Sequence, residues 1–190
     1  MFCLQSATDS EWLALVIANT DKLLADHAYC EQKAAASAMS LINKYPDDPF
    51  LVKAMLKLAH EELEHFELLY DLLQQRGIPL GAIDKDPYVA ELLPLCRKHG
   101  KDALVDRLLV ASLIEARSAE RFRLLADHLP DEELRAMYKD LFITESRHHT
   151  VFVNLAANYA PKEDVKARLE ELSKQEAEIV ARLPVAPRMH

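Results

Sequence analysis

Glycine is almost missing from this chain, with three residues in 190, and the nine prolines stand at Pro46, Pro49, Pro79, Pro87, Pro94, Pro130, Pro161, Pro184 and Pro187. So few breakers leave long windows in which a helix can run on, and the chain reads as all-α. Cysteine is equally scarce. Cys3, Cys30 and Cys96 are odd in number, widely spaced and without a Cys-x-x-Cys pair, so neither a disulfide framework nor an iron–sulfur or rubredoxin-type centre is indicated. The stretch Met1-Phe2-Cys3-Leu4-Gln5-Ser6 lacks a basic region followed by an apolar run, and no uninterrupted apolar stretch is long enough to cross a bilayer. The expectation is a cytoplasmic protein with no membrane partner. Basic residues are also in deficit, 23 against 31 acidic ones, and the net charge of −8 argues against broad nonspecific affinity for nucleic acid.

With 50% hydrophobic and 28% charged residues, the composition is that of an ordinary globular protein, and nothing suggests a second domain within 1–190. The breakers divide that domain into core helices at about 10–45, 49–76, 101–128 and 131–158. The first runs from Ser10 to Lys44 with a break near Ala25, and Gly77 closes the second. Asp131 and Glu132 sit at the positive end of the fourth. Tyr45 to Asp48 and His128 to Pro130 are tight links between antiparallel neighbours, whereas Gly77 to Gly100 is long enough to cross a bundle and holds a short helix near Tyr88 to Lys98. One long crossover is the ferritin-like connection, so the expected architecture is a ferritin-like four-helix bundle with a long crossover and additional peripheral helices. A C-terminal helix at about 162–183, with Val165, Leu169, Leu172, Ile179 and Leu183 amid many charges, is expected outside the bundle and without chemistry.

Two glutamate/histidine pairs share one spacing: Glu62-Leu63-Glu64-His65 and Glu145-Ser146-Arg147-His148. Residues three apart neighbour each other on one helix face, so each pair can hold one metal ion. Each pair also follows another glutamate on an apolar face, Glu31 by 31 residues and Glu115 by 30. Walking by threes and fours through Glu62 meets Met55, Leu58, Ala59, His65 and Leu69; through Glu145 it meets Tyr138, Leu141, His148 and Phe152. An ionised carboxylate in such a stripe is costly unless paired or metal-bound. A lone Glu-x-x-His in a charged helix ordinarily decorates a solvent face, but two in matched halves point to a dinuclear site of Glu31, Glu62, His65, Glu115, Glu145 and His148. Four carboxylates balance two divalent ions, and a donor set of oxygen with a minority of imidazole favours iron or manganese over structural zinc.

The segments Asp26-His27-Ala28-Tyr29-Cys30-Glu31, Glu61-Glu62-Leu63-Glu64-His65-Phe66-Glu67, Leu113 to Phe122 and Glu145-Ser146-Arg147-His148-His149 resemble the MiaE family of bacterial tRNA hydroxylases. The resemblance extends to the Met1 to Leu4 start, the Leu72 to Pro79 helix end and the Leu95 to Gly100 basic turn, and no ligand position departs from the pattern. It implies a non-haem di-iron monooxygenase, with two iron ions per chain and dioxygen as co-substrate. The implied substrate is 2-methylthio-N6-isopentenyladenosine beside the tRNA anticodon, hydroxylated on its isopentenyl group. No flavin motif or iron–sulfur ligand set is visible to supply the two electrons such a reaction consumes, so a separate reductase is expected. The chain itself is expected to be a monomer or weak oligomer.

Assigning four ligand glutamates to two divalent ions brings the net charge of −8 to about −4. An anticodon loop can then be held by a local patch and by stacking of unpaired bases. The candidates are Arg97, Lys98, His99 and Lys101 in the crossover, with Lys33, Arg117, Arg121 and Arg147 near the ligand helices. The small residues Ala34 to Ala38 after Glu31 either leave room for a prenyl tail or let helices approach closely. Tyr29 and Tyr138 lie near the motifs, and packing is the expected role of each. The rival functions are a ferritin-like ferroxidase, a peroxide-handling di-iron or di-manganese protein and, in a third class, a metal-free structural bundle.

Overall fold

The computed structural model of the chain describes residues 3–190. Met1 and Phe2, part of the Met1 to Leu4 start noted above, lie outside the described residues. Among the described residues there are helices and no strands: α1 (Ser10–Ile17), α2 (Thr20–Lys44), α3 (Pro49–Gln75), α4 (Pro87–Leu92), a 3-10 turn (Leu93–Leu95), α5 (Gly100–His128), α6 (Glu132–Ala156) and α7 (Lys162–Arg182).

The helix ends follow local chemistry. Asp48 caps α3, its carboxylate accepting from the Leu51 amide at 2.9 Å, with Pro49 in the first turn. At the other end Gly77 takes φ +66°, and the amides of Gly77 and Ile78 close back on the carbonyls of Gln74 and Leu73 at 3.1 and 2.9 Å. This is the six-to-one closure that favours glycine. Asp131 caps α6 through the Leu134 amide. The first helix breaks at Ala18 and Asn19 rather than near Ala25. Alanine is the best helix former and gives no reason to break, whereas asparagine competes for backbone partners and suits a boundary. The α2 ladder starts afresh on the Asn19 carbonyl, which accepts from Lys22 and Leu23. The short helix is also brief: α4 stops at Leu92 and hands over to the 3-10 turn, whose second residue is Pro94.

The described residues form two compact units. One holds residues 18–84 and 187–189 and is built on the α2–α3 hairpin, with Leu23, Leu24, Leu51, Met55, Leu69 and Leu73 fully buried. Its link after Gly77 is held to α2 by the Tyr29 hydroxyl on the Gly81 carbonyl (2.8 Å) and Lys33 Nζ on the Asp84 carbonyl (2.9 Å). Its last residues return to the same region: the Met189 amide donates to Asp26 Oδ2 at 2.7 Å, and Arg188 pairs with Asp84 at 3.0 Å. Met189 itself is buried.

The second unit holds the described residues up to Ile17, residues 85–186 and His190. It is built on the α5–α6 hairpin, with α7 packed on α5 and α4. Val165, Leu172 and Ile179 of α7 are buried, as a simple amphipathic helix requires, but so is Glu176 one turn beyond Leu172. Arg117 of α5, also fully buried, donates from Nε and Nη2 to Glu176 Oε1 and Oε2 at 3.0 Å each. Arg117 Nη1 donates to Glu120 Oε2 at 2.5 Å, and the Tyr88 hydroxyl donates to Glu176 Oε1 at 3.0 Å. Thr8 joins Glu120 through its amide and hydroxyl at 2.8 and 2.7 Å. Arg121 lies over the Trp12 ring at 4.7 Å, and burial, with the Arg117 charge beside it, lowers its pKa to about 10. The C-terminal helix is thus fastened by an internal charge network that its charge-rich sequence did not announce.

Candidate metal centre

In the α2–α3 unit, Glu31 on α2 and the Glu62/His65 pair on α3 come together. His65 Nδ1 lies 3.5 Å from Glu62 Oε2 and 3.7 Å from Glu31 Oε2, and one ligand atom from each residue lies within 4.8 Å of the others. In the second unit, Glu115 on α5 joins Glu145 and His148 on α6. His148 Nδ1 is 3.1 Å from Glu145 Oε2, and this triad also meets within 4.8 Å. Glu31, Glu62, Glu115, Glu145 and His148 are buried and His65 nearly so. Each unit therefore carries two carboxylates and one imidazole on adjacent helices.

The helices explain why. Leu58, Ala59 and Leu69 flank Glu62, and Tyr138, Leu141 and Phe152 flank Glu145, all buried, so the apolar stripe that docks each helix carries its carboxylate inward. Two buried carboxylates within one triad repel each other unless a cation lies between them. An oxygen-rich donor set with one imidazole per triad and no thiolate fits iron or manganese. His149, next to His148, holds the Ser112 carbonyl at 2.8 Å and ties α6 to α5 beside the second triad. Sequence reasoning passed over one residue: His27, fully buried, has Nε2 2.6 Å from Glu31 Oε1. Its signal was available, since His27 and Glu31 stand one helical turn apart.

The basic residues part company. Lys98, His99 and Lys101 are exposed. Arg97 is exposed too, but its charge is met inside the chain: Nε and Nη2 donate to Asp106 at 3.0 and 2.8 Å, its amide donates there as well, and Nη1 pairs with Asp102 at 2.9 Å. Arg168 reaches the same Asp106 at 2.9 Å. Burial alone would raise the Asp106 carboxyl, but the bonds from Arg97 and Arg168 override it and hold its pKa below the usual 3.8. Arg117 and Arg121 are buried and lie in the internal network, which removes them from any RNA-facing surface. Lys33 is bonded to the Asp84 carbonyl, and Arg147 is exposed. Tyr138 is a packed core residue, 5.4 Å from the Phe122 ring.

The whole chain, residues 1–190, matches the family model described as tRNA-(MS[2]IO[6]A)-hydroxylase (MiaE). The chain belongs to this family. Among its relatives, a protein of Pseudomonas putida named tRNA 2-(methylsulfanyl)-N(6)-isopentenyladenosine(37) hydroxylase is 40% identical, the alignment covering 91% of this chain and 84% of that one. A protein of Salmonella typhimurium with the same name is 31% identical over 85% of this chain and 77% of its own. Among solved structures, that of protein 43 with aldehyde deformylating oxygenase activity, from Synechococcus, matches with a TM-score of 0.95 and 38% identity. It covers 100% of this chain and 96% of that chain. The all-α, ferritin-like fold class holds, and membership makes the chain an oxidoreductase of the di-iron ferritin-like type.

Proposed function

We infer that this protein is an oxygen-dependent monooxygenase that hydroxylates the isopentenyl group of 2-methylthio-N6-isopentenyladenosine in tRNA. The observation that carries the reading is the full-length family match in a chain whose two hairpins each bury a Glu-Glu-His triad. We propose that Glu31, Glu62 and His65 hold one iron ion and Glu115, Glu145 and His148 the other, the two units acting as one ferritin-like domain. When bound, the two ions would supply the dioxygen activation that hydroxylation of an isopentenyl C–H bond requires. The protein's part is electrostatic and steric. Four carboxylates neutralise two divalent ions, His65 and His148 contribute neutral nitrogen donors, and the buried leucine, alanine and phenylalanine neighbours keep bulk water from the triads.

One oxygen atom enters the C–H bond and the other leaves as water, which consumes two electrons and two protons beyond those of the substrate. A separate reductase is the proposed source. All six proposed ligands lie in one chain, so a monomer or weak oligomer suffices, and the cytoplasm, where tRNA is modified, is the proposed location. No helix among the described residues is long and apolar enough to span a membrane. Lys98 and Lys101, with Arg97, are the proposed tRNA contacts. Arg97 is a poor probe of that contact because its loss disturbs Asp106.

The test is to quantify metal in the purified protein, then supply reductant, oxygen and isopentenyl-modified tRNA and follow the nucleoside by mass spectrometry. About two irons per chain with hydroxylated product is expected; two irons with no product keeps the metal centre but reopens the substrate, the reductant and a ferroxidase role. The aldehyde deformylating oxygenase activity named for the Synechococcus protein favours one second reading, deformylation of an aldehyde, which the same preparation tests by formate release. Ferroxidase and peroxide-handling roles would show as cage-sized particles or as peroxide turnover without RNA.

A further inference from the structure

We propose that His27 is a positioning residue that decides which oxygen of Glu31 is offered to metal, and that it makes the two halves of the centre unequal. The proposal rests on Glu31 being a ligand. The His27 ring is fully buried on α2, and its Nε2 lies 2.6 Å from Glu31 Oε1. A carboxylate only accepts, so the imidazole N–H donates. The other oxygen, Oε2, is the one facing His65 Nδ1 at 3.7 Å. The carboxylate is thereby divided: Oε1 is engaged by His27 and Oε2 is presented at the triad. The last torsion of a glutamate is broad and roughly two-fold, so nothing intrinsic to Glu31 selects that orientation. The hydrogen bond does.

The second half lacks this device. Glu31 and Glu115 are related by an offset of 84 residues, and the same offset carries His27 onto Ala111. A methyl group cannot donate a hydrogen bond. Glu31 is therefore held from its own helix by a histidine that has no equivalent one turn before Glu115.

The test uses the full-length chain stripped of metal and titrated with Co(II) under argon, with a competing chelator to resolve two dissociation constants and the visible cobalt bands to report coordination. The variants are His27→Gln, whose amide nitrogen reaches about as far as Nε2, and His27→Asn, which is polar but too short. In wild type the two constants are expected to differ. Asn should weaken one of them by about 10- to 100-fold, the usual cost of removing a partner from a ligating carboxylate, and alter the cobalt bands while leaving the other within two-fold. Gln should restore most of the loss. Equal constants for wild type and His27→Asn, or equal damage from Gln and Asn, would overturn the proposal. A wild-type chain that takes up no cobalt would sink the ligand assignment and the role of His27 with it. Two ions bound unchanged in His27→Asn would sink the role of His27 alone.

Discussion

Replacing Glu176 by alanine removes the carboxylate that accepts two bonds from Arg117 and one from Tyr88, at a point where all three side chains are buried. Breaking a buried ion pair by deleting one partner costs about 3–5 kcal/mol, because the surviving charge stays desolvated. Here Glu120 still accepts from Arg117 Nη1 at 2.5 Å, which places the charge cost near the lower end, while the abandoned Tyr88 hydroxyl adds about 1 kcal/mol. The total is about 4 kcal/mol, a large fraction of the 5–15 kcal/mol that holds a typical domain together. At about 2–4 °C per kcal/mol for a chain of this size, the midpoint should fall by about 8–16 °C. Urea and thermal unfolding followed by circular dichroism at 222 nm measure both quantities. The double variant Arg117→Met, Glu176→Leu should recover part of the loss, since it removes the buried Arg117 charge that Glu176→Ala strands, while Glu120 forfeits its Arg117 bond and the Tyr88 hydroxyl its acceptor. A loss below about 1 kcal/mol in Glu176→Ala, or a double variant no better than the single one, would refute the account of α7 as fastened by this pair.

Three further outcomes are expected. Glu62→Ala and His65→Ala should each lose about one metal ion per chain by elemental analysis and abolish hydroxylation, whereas full metal content in either would remove that residue from the ligand set. The pKa of Asp106 is depressed in the folded chain, so its contribution to stability is complete above the unfolded value of 3.8 and is lost as pH falls through the lower folded value; urea midpoints between pH 5 and 2.5 should therefore decline less steeply in Asp106→Asn than in wild type. Lys98→Ala combined with Lys101→Ala should weaken tRNA binding, lower the slope of log affinity against log salt by about two and spare metal content; an unchanged slope would clear this patch of any role.

The all-α class was legible because only glycine and proline punctuate the chain, and helix ends were legible where a cap carries them, as at Asp48-Pro49, Gly77 and Asp131. The candidate ligands were legible because a carboxylate on an otherwise apolar stripe stands out against its neighbours. The break at Asn19 was harder to see, since one asparagine in a helical window signals little until its carbonyl is seen to start a new ladder. Glu176 and Arg117 hid for a different reason. On helices rich in charge, a buried carboxylate and its guanidinium partner look like any solvated pair, and only packing separates them. Arg97 shows the converse: a basic cluster in sequence suggests an open patch, yet one of its members is already spoken for by Asp106.

The return of residues 187–189 to the α2–α3 unit sets an order of assembly. Asp26 waits for the Met189 amide and Asp84 for the Arg188 guanidinium, and about one hundred residues separate the end of the link from those partners. At about 5–20 residues per second on the ribosome, that interval is roughly 5–20 s, ample for a helical hairpin to form but not to be finished. The hairpin bearing Glu31, Glu62 and His65 therefore leaves the ribosome early and receives its last fastenings only after the α5–α6 hairpin has been made, so completion of the first unit is timed by synthesis of the second.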